Sequence, residues 1–235
     1  EKIIQEINKS LKFLNTISAE INLFSEQKFN EFYISHECLL LGYESALTRK
    51  NNNHFYNSSA HMVWLGDRTR NINSAHVEYL SGIENPIGIK CGPNLDVEDL
   101  KLIIQKINST NEEGKIILIC RFGIKKIEQK LPELIQMINK NQFKVIWTCD
   151  PMHGNTYKSK NQFKTRNFDS ITKELELFFD IHYNNKTNAN GVHFELTPND
   201  VTECIGGIRN IKESDLHIKY ETSCDPRLNH EQSIE

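Results

Sequence analysis

Apolar residues recur along the chain at two different spacings. Near the start, they fall every three or four positions, which is the spacing of one face of a helix. The residues of this stripe are Ile4, Ile7, Leu11, Leu14, Ile17 and Ile21. From residue 31 onward, short apolar runs alternate with segments of helical spacing. We therefore predict an amphipathic helix and linker over residues 1–30 and an α/β domain over residues 31–235.

The short runs are rich in Ile, Val and aromatic residues and predict strands, the last less clearly than the others. They cover residues 32–35, 62–65, 87–91, 116–120, 145–149, 192–196 and 218–222. Helices are predicted over residues 39–47, 97–107, 127–138 and 171–179. Several strand runs are continuously apolar, as in parallel strands covered on both faces. This alternation predicts a buried parallel sheet with fewer strands than the eight of a complete (β/α)8 barrel.

Composition narrows the possible classes of protein. The 235 residues are 38% hydrophobic and 25% charged, which is typical of a globular protein. The net charge is −3, so the protein has no overall positive field that would attract nucleic acid. The sequence also lacks an apolar run long enough to predict a membrane span. Without a secretion signal, we expect a cytoplasmic protein, or a plastid one if a transit peptide precedes this segment. Six cysteines without a CxxC pair favour reduced, mostly buried thiols.

Charged or metal-ligating side chains follow most of the predicted strands. They are the cations Arg68, Lys90 and Arg121 and the ligand-type residues His153, Glu195 and Asp225. In a parallel α/β fold, these strand ends emerge on one face. A single Asp or His at such a place is more often a helix cap or a satisfied polar group. Six such residues after successive strands instead indicate one pocket.

The two chemical groups suggest what the pocket binds. Arginine forks bind carboxylate or phosphate with two hydrogen bonds and lysine adds a point charge, so the cations suit a substrate with several negative charges. One imidazole and two carboxylates suit Mn²⁺, Fe²⁺, Co²⁺ or Zn²⁺, and such an ion can polarise a carbonyl oxygen. Neither GxGxxG nor the Walker pattern is present, so a nucleotide is not indicated.

Long irregular strings in this sequence resemble the class II (plant and microbial type) 3-deoxy-D-arabino-heptulosonate 7-phosphate (DAHP) synthases. The strings cover nearly all of residues 31–235 and include residues 64–70, 85–90, 121–123, 149–156, 164–166, 201–204 and 224–229. The resemblance implies a (β/α)8 TIM barrel, of which this chain supplies roughly the last six strands. It also implies a transferase that condenses phosphoenolpyruvate with erythrose 4-phosphate and water, giving DAHP and phosphate in the first step of the shikimate pathway.

The resemblance also assigns roles to the strand-end residues. It implies His153, Glu195 and Asp225 as ligands of one divalent ion, with Mn²⁺ expected first and Co²⁺, Fe²⁺ or Zn²⁺ open. It implies Asp67, Arg68, Lys90 and Arg121 as phosphoenolpyruvate-binding residues. Lys90, Arg121 and His153 are the expected catalytic residues, and we expect a homo-oligomer. The family's fourth ligand, a cysteine of its N-terminal part, matches nothing here, so we expect a fragment that lacks the N-terminal strands.

Some positions and interpretations stay open. Lys164 and Arg166 could contact a second phosphate or form structural ion pairs. Asp67 stands where the family more often has Glu, and Pro198 stands where Gly is usual. Asn73-Ser74 replaces the usual Asp-Gly. Another metal-dependent TIM-barrel aldolase or lyase would share the ligands and cations, and a non-catalytic fragment of such an enzyme is a further alternative.

Overall fold

The structure is a computed structural model that describes residues 2–24 and 32–235. Its strands are β1 (Ser35–Glu37), β2 (Thr48–Asn51), β3 (His54–Asn57), β4 (Met62–Leu65), β5 (Ile87–Cys91), β6 (Ile116–Cys120), β7 (Val145–Cys149), β8 (Tyr157–Lys158), β9 (Lys164–Thr165) and β10 (Gly191–Val192). Its helices are α1 (Lys2–Phe24), α2 (Leu41–Ala46), α3 (Ala75–Ser81), α4 (Val97–Ile107), α5 (Ile127–Asn141), α6 (Phe168–Asn184) and α7 (His230–Ile234). Short 3₁₀ turns form at His153–Asn155 and Glu213–Asp215.

Six strands of the described ranges form one sheet in the order β1-β4-β5-β6-β7-β10. The pairings of β1 with β4, β4 with β5 and β7 with β10 are parallel. Every residue of β5 is buried, and four of the five residues of β6 are buried. Both strands can be buried on both faces because their runs are apolar throughout. The prediction of an α/β fold with a buried parallel sheet is confirmed.

The chain divides into two compact units. Unit 1 comprises residues 1–90 and 98–117, and unit 2 comprises residues 91–97 and 118–235. In unit 1, the buried core includes Val63, Leu65, Val77, Leu80, Ile87, Leu100, Ile103 and Ile104. In unit 2, it includes Leu118, Leu131, Leu134, Cys149 and Phe178. A further buried cluster in unit 2 consists of Met152, Phe168, Ile171, Cys204 and Leu228.

The predicted elements agree with the structure where apolar runs are continuous. The bounds of β4, β5, β6, β7 and α4 are those expected, and α1 occupies most of residues 1–30. The predicted linker falls mainly on residues 25–31, outside the described residues. The first strand lies at Ser35–Glu37 rather than at 32–35, and residues 218–222 form no strand. The β2–β3 hairpin and α3 were not predicted.

The cysteine prediction agrees with the structure. Among the described residues no cysteine forms a disulfide; five of the six cysteines are buried, and Cys224 is exposed. Burial raises the pKa of the Cys204 thiol to about 12, so this side chain stays a neutral apolar group of the core. Among residues 2–24 and 32–235, we find no helix that combines the length and the apolar character needed to cross a membrane.

Candidate metal centre and anion-binding residues

The turn after β7 fixes the position of His153. β7 ends at Cys149, and the next residue, Asp150, is fully buried. One carboxylate oxygen of Asp150 accepts the backbone N–H groups of Met152 and His153, each at 3.1 Å. A short polar side chain that binds the backbone two and three residues ahead forms a local turn. This turn places His153 at the carboxyl end of β7.

The same carboxylate orients the His153 ring. His153 Nδ1 lies 2.7 Å from Asp150 Oδ2, so Nδ1 carries the proton and donates it. Nε2 then points away from Asp150, as in the carboxylate–histidine pairs of metal sites. Burial by itself lowers the pKa of His153, but hydrogen bonds to Asp150 and Glu195 raise it above its ordinary value.

A parallel bridge brings the carboxylates of Glu195 and Asp225 close to this ring. Leu196 pairs with Leu228, and the Leu228 N–H donates to the Glu195 carbonyl at 2.9 Å. The loop that carries Asp225 therefore runs beside the segment after β10. Glu195 Oε1 lies 3.3 Å from His153 Nε2. One ligand atom from each of His153, Glu195 and Asp225 lies within 4.8 Å of the other two.

Each of the two carboxylates also forms an ion pair with a cation, Glu195 with Arg166 and Asp225 with Lys164. The Arg166 side chain is fully buried, and its guanidinium donates to Glu195 Oε2 and to the Pro226 carbonyl. Its Nε donates to Thr156 Oγ1 at 2.8 Å. Lys164 Nζ lies 2.5 Å from Asp225 Oδ1. Both side chains therefore form ion pairs with the predicted ligands, which is one of the two roles expected of them.

These ion pairs also set the protonation of the carboxylates. Burial raises the pKa of Glu195, but His153 and Arg166 more than offset it and hold this pKa below its usual value. Burial acts in the same direction on Asp225, and Lys164 and Arg166 hold its pKa below the usual value. Both groups are therefore ionised at neutral pH, the state in which a carboxylate binds a metal.

The donor set of this centre fits a divalent metal ion. It offers one imidazole nitrogen and two carboxylates, a mixture suited to Mn²⁺, Fe²⁺, Co²⁺ and Zn²⁺. Asp150 supplies the partner behind the histidine that such sites require. The three ligand residues are half-buried, so a substrate atom could reach an ion held between them.

The two predicted cations of unit 1, Lys90 and Arg68, differ from each other in burial. Lys90 is 6% exposed, and its ammonium group lies 5.4 Å from the centroid of the Trp64 ring, a cation–π contact. Arg68 is exposed, and its guanidinium lies 3.7 Å from Glu37 Oε1. Asp67 pairs with Arg70 at 2.9 Å. The Asp67 carboxylate thus serves Arg70 within this unit.

Arg121 belongs to unit 2, where it follows β6. Its backbone N–H donates to the Cys91 carbonyl at 2.9 Å, and the Asp150 N–H donates to the Cys120 carbonyl at 2.6 Å. These bonds continue the ladder pattern past the ends of the strands, so Arg121 starts the loop directly at the edge of the sheet. Its side chain is half-buried.

Two groups with a role in this centre were missed from the sequence. Asp150 orients His153, and the fully buried Glu203 holds the loop after Asp225 by accepting Arg227 Nη2 at 2.7 Å. Glu203 also accepts the Thr222 N–H at 2.8 Å. The available signal was a carboxylate in the mostly apolar run Val-Thr-Glu-Cys-Ile, because a charge that is buried in such a run needs a partner.

Comparisons with known proteins show the family of the chain. The Class-II DAHP synthetase family matches residues 1–235. The whole chain is 44% identical to a phospho-2-dehydro-3-deoxyheptonate aldolase of Streptomyces coelicolor and 41% identical to one of Mycolicibacterium smegmatis. It spans 52% of the length of each of these relatives, about half.

A solved structure shows the fold. The crystal structure of phospho-2-dehydro-3-deoxyheptonate aldolase (DAHP synthase) from Thermotoga maritima superposes on 81% of this chain and 46% of its own, with a TM-score of 0.52 and 18% identity. The six-stranded sheet and its helices are thus part of a (β/α)8 barrel, and the predicted fold class is confirmed.

Proposed function

We propose, since the chain belongs to the class-II DAHP synthetase family, that the protein of which it forms part is a DAHP synthase. The reaction joins the methylene carbon of phosphoenolpyruvate to the aldehyde carbon of erythrose 4-phosphate. Water adds to the enol carbon, and inorganic phosphate leaves. The observation that carries the proposal is the His153–Glu195–Asp225 cluster, found in a chain that the family matches over its whole length. That match favours this reaction over another metal-dependent aldolase or lyase.

The ligand residues have defined tasks in this proposal. His153, Glu195 and Asp225 would hold one divalent ion, with Mn²⁺ preferred by the oxygen-rich donor set and Co²⁺, Fe²⁺ or Zn²⁺ as alternatives. When bound, such an ion supplies Lewis-acid polarisation of a carbonyl oxygen. Asp150 keeps the His153 ring in one tautomer. Arg166 keeps one oxygen of Glu195 occupied, so that only the other faces the histidine.

The cations would bind and orient phosphoenolpyruvate. Arg68, Lys90 and Arg121 carry the charges that a carboxylate and a phosphate require, and correct orientation of a bound substrate is a large part of such catalysis. The Trp64 ring limits where the Lys90 ammonium group can lie. We assign to Asp67 a role through Arg70 and its backbone, because its carboxylate is paired within unit 1.

The test is turnover by the full-length protein. We expect consumption of phosphoenolpyruvate only when erythrose 4-phosphate is present, loss of activity on chelation, and recovery on addition of Mn²⁺. His153→Ala should abolish turnover and weaken Mn²⁺ binding in calorimetry while the circular dichroism spectrum is unchanged. His217→Ala is the matched control, because this exposed histidine bonds only to the Ser214 carbonyl in the described contacts.

Two results would contradict the proposal. Turnover that survives complete chelation would exclude the metal role, and a wild-type protein that binds Mn²⁺ but does not condense the two substrates would exclude the reaction. The expected homo-oligomer is a separate proposal, to be tested by light scattering of the full-length protein. A monomer at micromolar concentration would contradict it.

A further inference from the structure

A buried carboxylate outside the metal centre joins the two loops that carry Arg121 and His153. Glu174 lies in α6 and is fully buried. Its Oε1 accepts the backbone N–H of Gly123 at 2.8 Å, in the loop after β6. Its Oε2 accepts Asn155 Nδ2 at 2.7 Å, in the turn after β7. Nothing in the proposed reaction uses Glu174 directly.

Asn155 completes the link between the loops. Its Oδ1 accepts the Ile124 N–H at 3.0 Å, while its Nδ2 also donates to the Pro151 carbonyl at 2.8 Å. The side chain of Asn155 therefore bonds to both loops, and Glu174 bonds to Asn155 and to the loop after β6. A single carboxylate thus fixes two backbone segments at once.

The two loops also touch through their glycines. Gly123 has a φ of +78°, and a Cβ there would lie 2.5 Å from the Gly154 carbonyl oxygen. A Cβ on Gly154 would lie 2.8 Å from the Arg121 carbonyl oxygen. Close backbone contact of this kind passes a shift of one loop to the other, because packed atoms cannot absorb it.

The two oxygens of Glu174 accept from two different donors, which distinguishes this carboxyl group from an amide. Burial, with the charge of Asp150 adding to it, raises the pKa of Glu174 to about 7 despite the hydrogen bonds from Gly123 and Asn155. The carboxylate can accept a hydrogen bond at each of its two oxygens. The amide of glutamine can accept only at its single oxygen, because its NH2 group is a donor.

We propose that Glu174 is a positioning residue that fixes the Arg121 loop against the His153 turn and thereby sets the affinity for the anionic substrate. This rests on the proposed function, which makes Arg121 a phosphoenolpyruvate-binding residue. With Glu174 in place, Arg121 and His153 keep one relative position. Without a second acceptor oxygen, either the Gly123 N–H or the Asn155 amide is left facing a donor, and the loops shift.

The experiment compares Glu174→Gln with wild type in the full-length protein. We expect KM for phosphoenolpyruvate to rise about tenfold or more, with a smaller change in kcat, because binding geometry rather than the amount of folded enzyme is altered. A merely structural role predicts the opposite pattern, a lower kcat from fewer folded molecules with KM unchanged. Hydrogen exchange of residues 121–126 should be faster in the variant.

The control is Thr187→Val. It removes a partly buried hydrogen bond near the C-terminal end of α6, between Thr187 Oγ1 and His182 Nδ1 at 2.7 Å, and leaves the two loops untouched. We expect KM within twofold of wild type for this variant. A rise in KM equal to that of Glu174→Gln would show that any loosening of α6 suffices, and would overturn the proposal.

The remaining outcomes are also decisive. If Glu174→Gln keeps KM and loop exchange at wild-type values, the proposal is wrong. If the glutamine variant does not fold, Glu174→Asp is measured instead, since it keeps the charge but is too short to reach both donors. If neither variant folds, Glu174 serves the fold and not the site. If wild type has no DAHP synthase activity, the proposed function fails; the loop-fixing role of Glu174 then stands if hydrogen exchange of residues 121–126 is faster in Glu174→Gln than in wild type, and is wrong if the two rates are equal.

Discussion

Protonation of one buried histidine should make the folded protein less stable in mild acid. His182 lies in α6, is 1% exposed, and packs its ring against Trp147 and Phe178 at centroid distances of 5.0 and 4.5 Å. The Thr187 hydroxyl donates to the His182 carbonyl at 3.3 Å and so accepts from Nδ1. Nε2 is buried without a hydrogen-bond partner among the described residues. A second proton would therefore add an unpaired charge to the core.

The size of the effect follows from the pKa. Burial lowers the pKa of His182 from the ordinary 6.5 to about 4. Between these values the unfolded chain binds more protons than the folded one, so the free energy of unfolding rises with pH. The stability that the folded protein has with neutral His182 is fully present above pH 6.5 and is lost as the pH falls through about 4. The gap corresponds to about 3 kcal/mol, a large part of the stability of a typical domain.

The assay is urea unfolding of wild type and His182→Leu at several values between pH 4.5 and 7.5. Leucine has no titrating group, so the free energy of unfolding of the variant should improve relative to wild type as the pH falls, by about 2 kcal/mol or more. Glu174→Gln provides a comparison of opposite sign. Because the pKa of Glu174 in the folded protein is raised to about 7, the stability that protonated Glu174 contributes is lost as the pH rises through about 7. Parallel curves for wild type and His182→Leu would refute the reasoning.

Two further predictions concern Gly123 and Arg166, which both lie in unit 2. Gly123→Ala should lower the free energy of unfolding by about 3 kcal/mol or more, because alanine is strained at this positive φ and its Cβ would clash with the Gly154 carbonyl. The control is Gly114→Ala, where φ is +79° and the space around the new Cβ is open; it should lower the free energy of unfolding by only about 1 kcal/mol in the same urea assay. Equal losses would show that the contact with Gly154 is unimportant. Arg166→Lys should weaken Mn²⁺ binding about tenfold or more in calorimetry, because an ammonium group cannot bond Glu195 and the Pro226 carbonyl in the same fork. Unchanged affinity would exclude a role for Arg166 in orienting the ligands.

Much of the sheet could be predicted because burial on both faces leaves a plain signal. The strands β4 to β7 were found at their apolar runs. β1 was misplaced because its residues His36 and Glu37 are polar and gain their place from long-range contacts. His36 lies 3.1 Å from Glu44, whose buried carboxylate also accepts Asn57 at 2.6 Å. No local pattern reveals such a network.

The strand predicted at 218–222 failed for a related reason. The Glu221 and Thr222 N–H groups donate to the Glu203 carboxylate at 3.2 and 2.8 Å, rather than to a neighbouring strand. A side chain that is distant in sequence thus replaces the sheet ladder. The three candidate ligands could be proposed from the sequence because each lies at the end of an apolar run or just after one, and the structure brings their ligand atoms within 4.8 Å of one another. Asp150, Glu174 and Glu203 could not, because each acts through another residue.

The charges of the candidate metal centre give a reason for the two cations that pair with its carboxylates. Three carboxylates and three bases form one network: Asp150, Glu195, Asp225, His153, Lys164 and Arg166. With the histidine protonated, this network is neutral. A divalent ion in place of that proton leaves one net positive charge, which favours anionic substrates. Without the lysine and the arginine, the same loaded centre would carry one negative charge and would repel the anionic substrates that we propose. The burial of Arg166 is therefore better explained by the charge of the loaded site than by the stability of the fold, because a buried ion pair contributes little net stability.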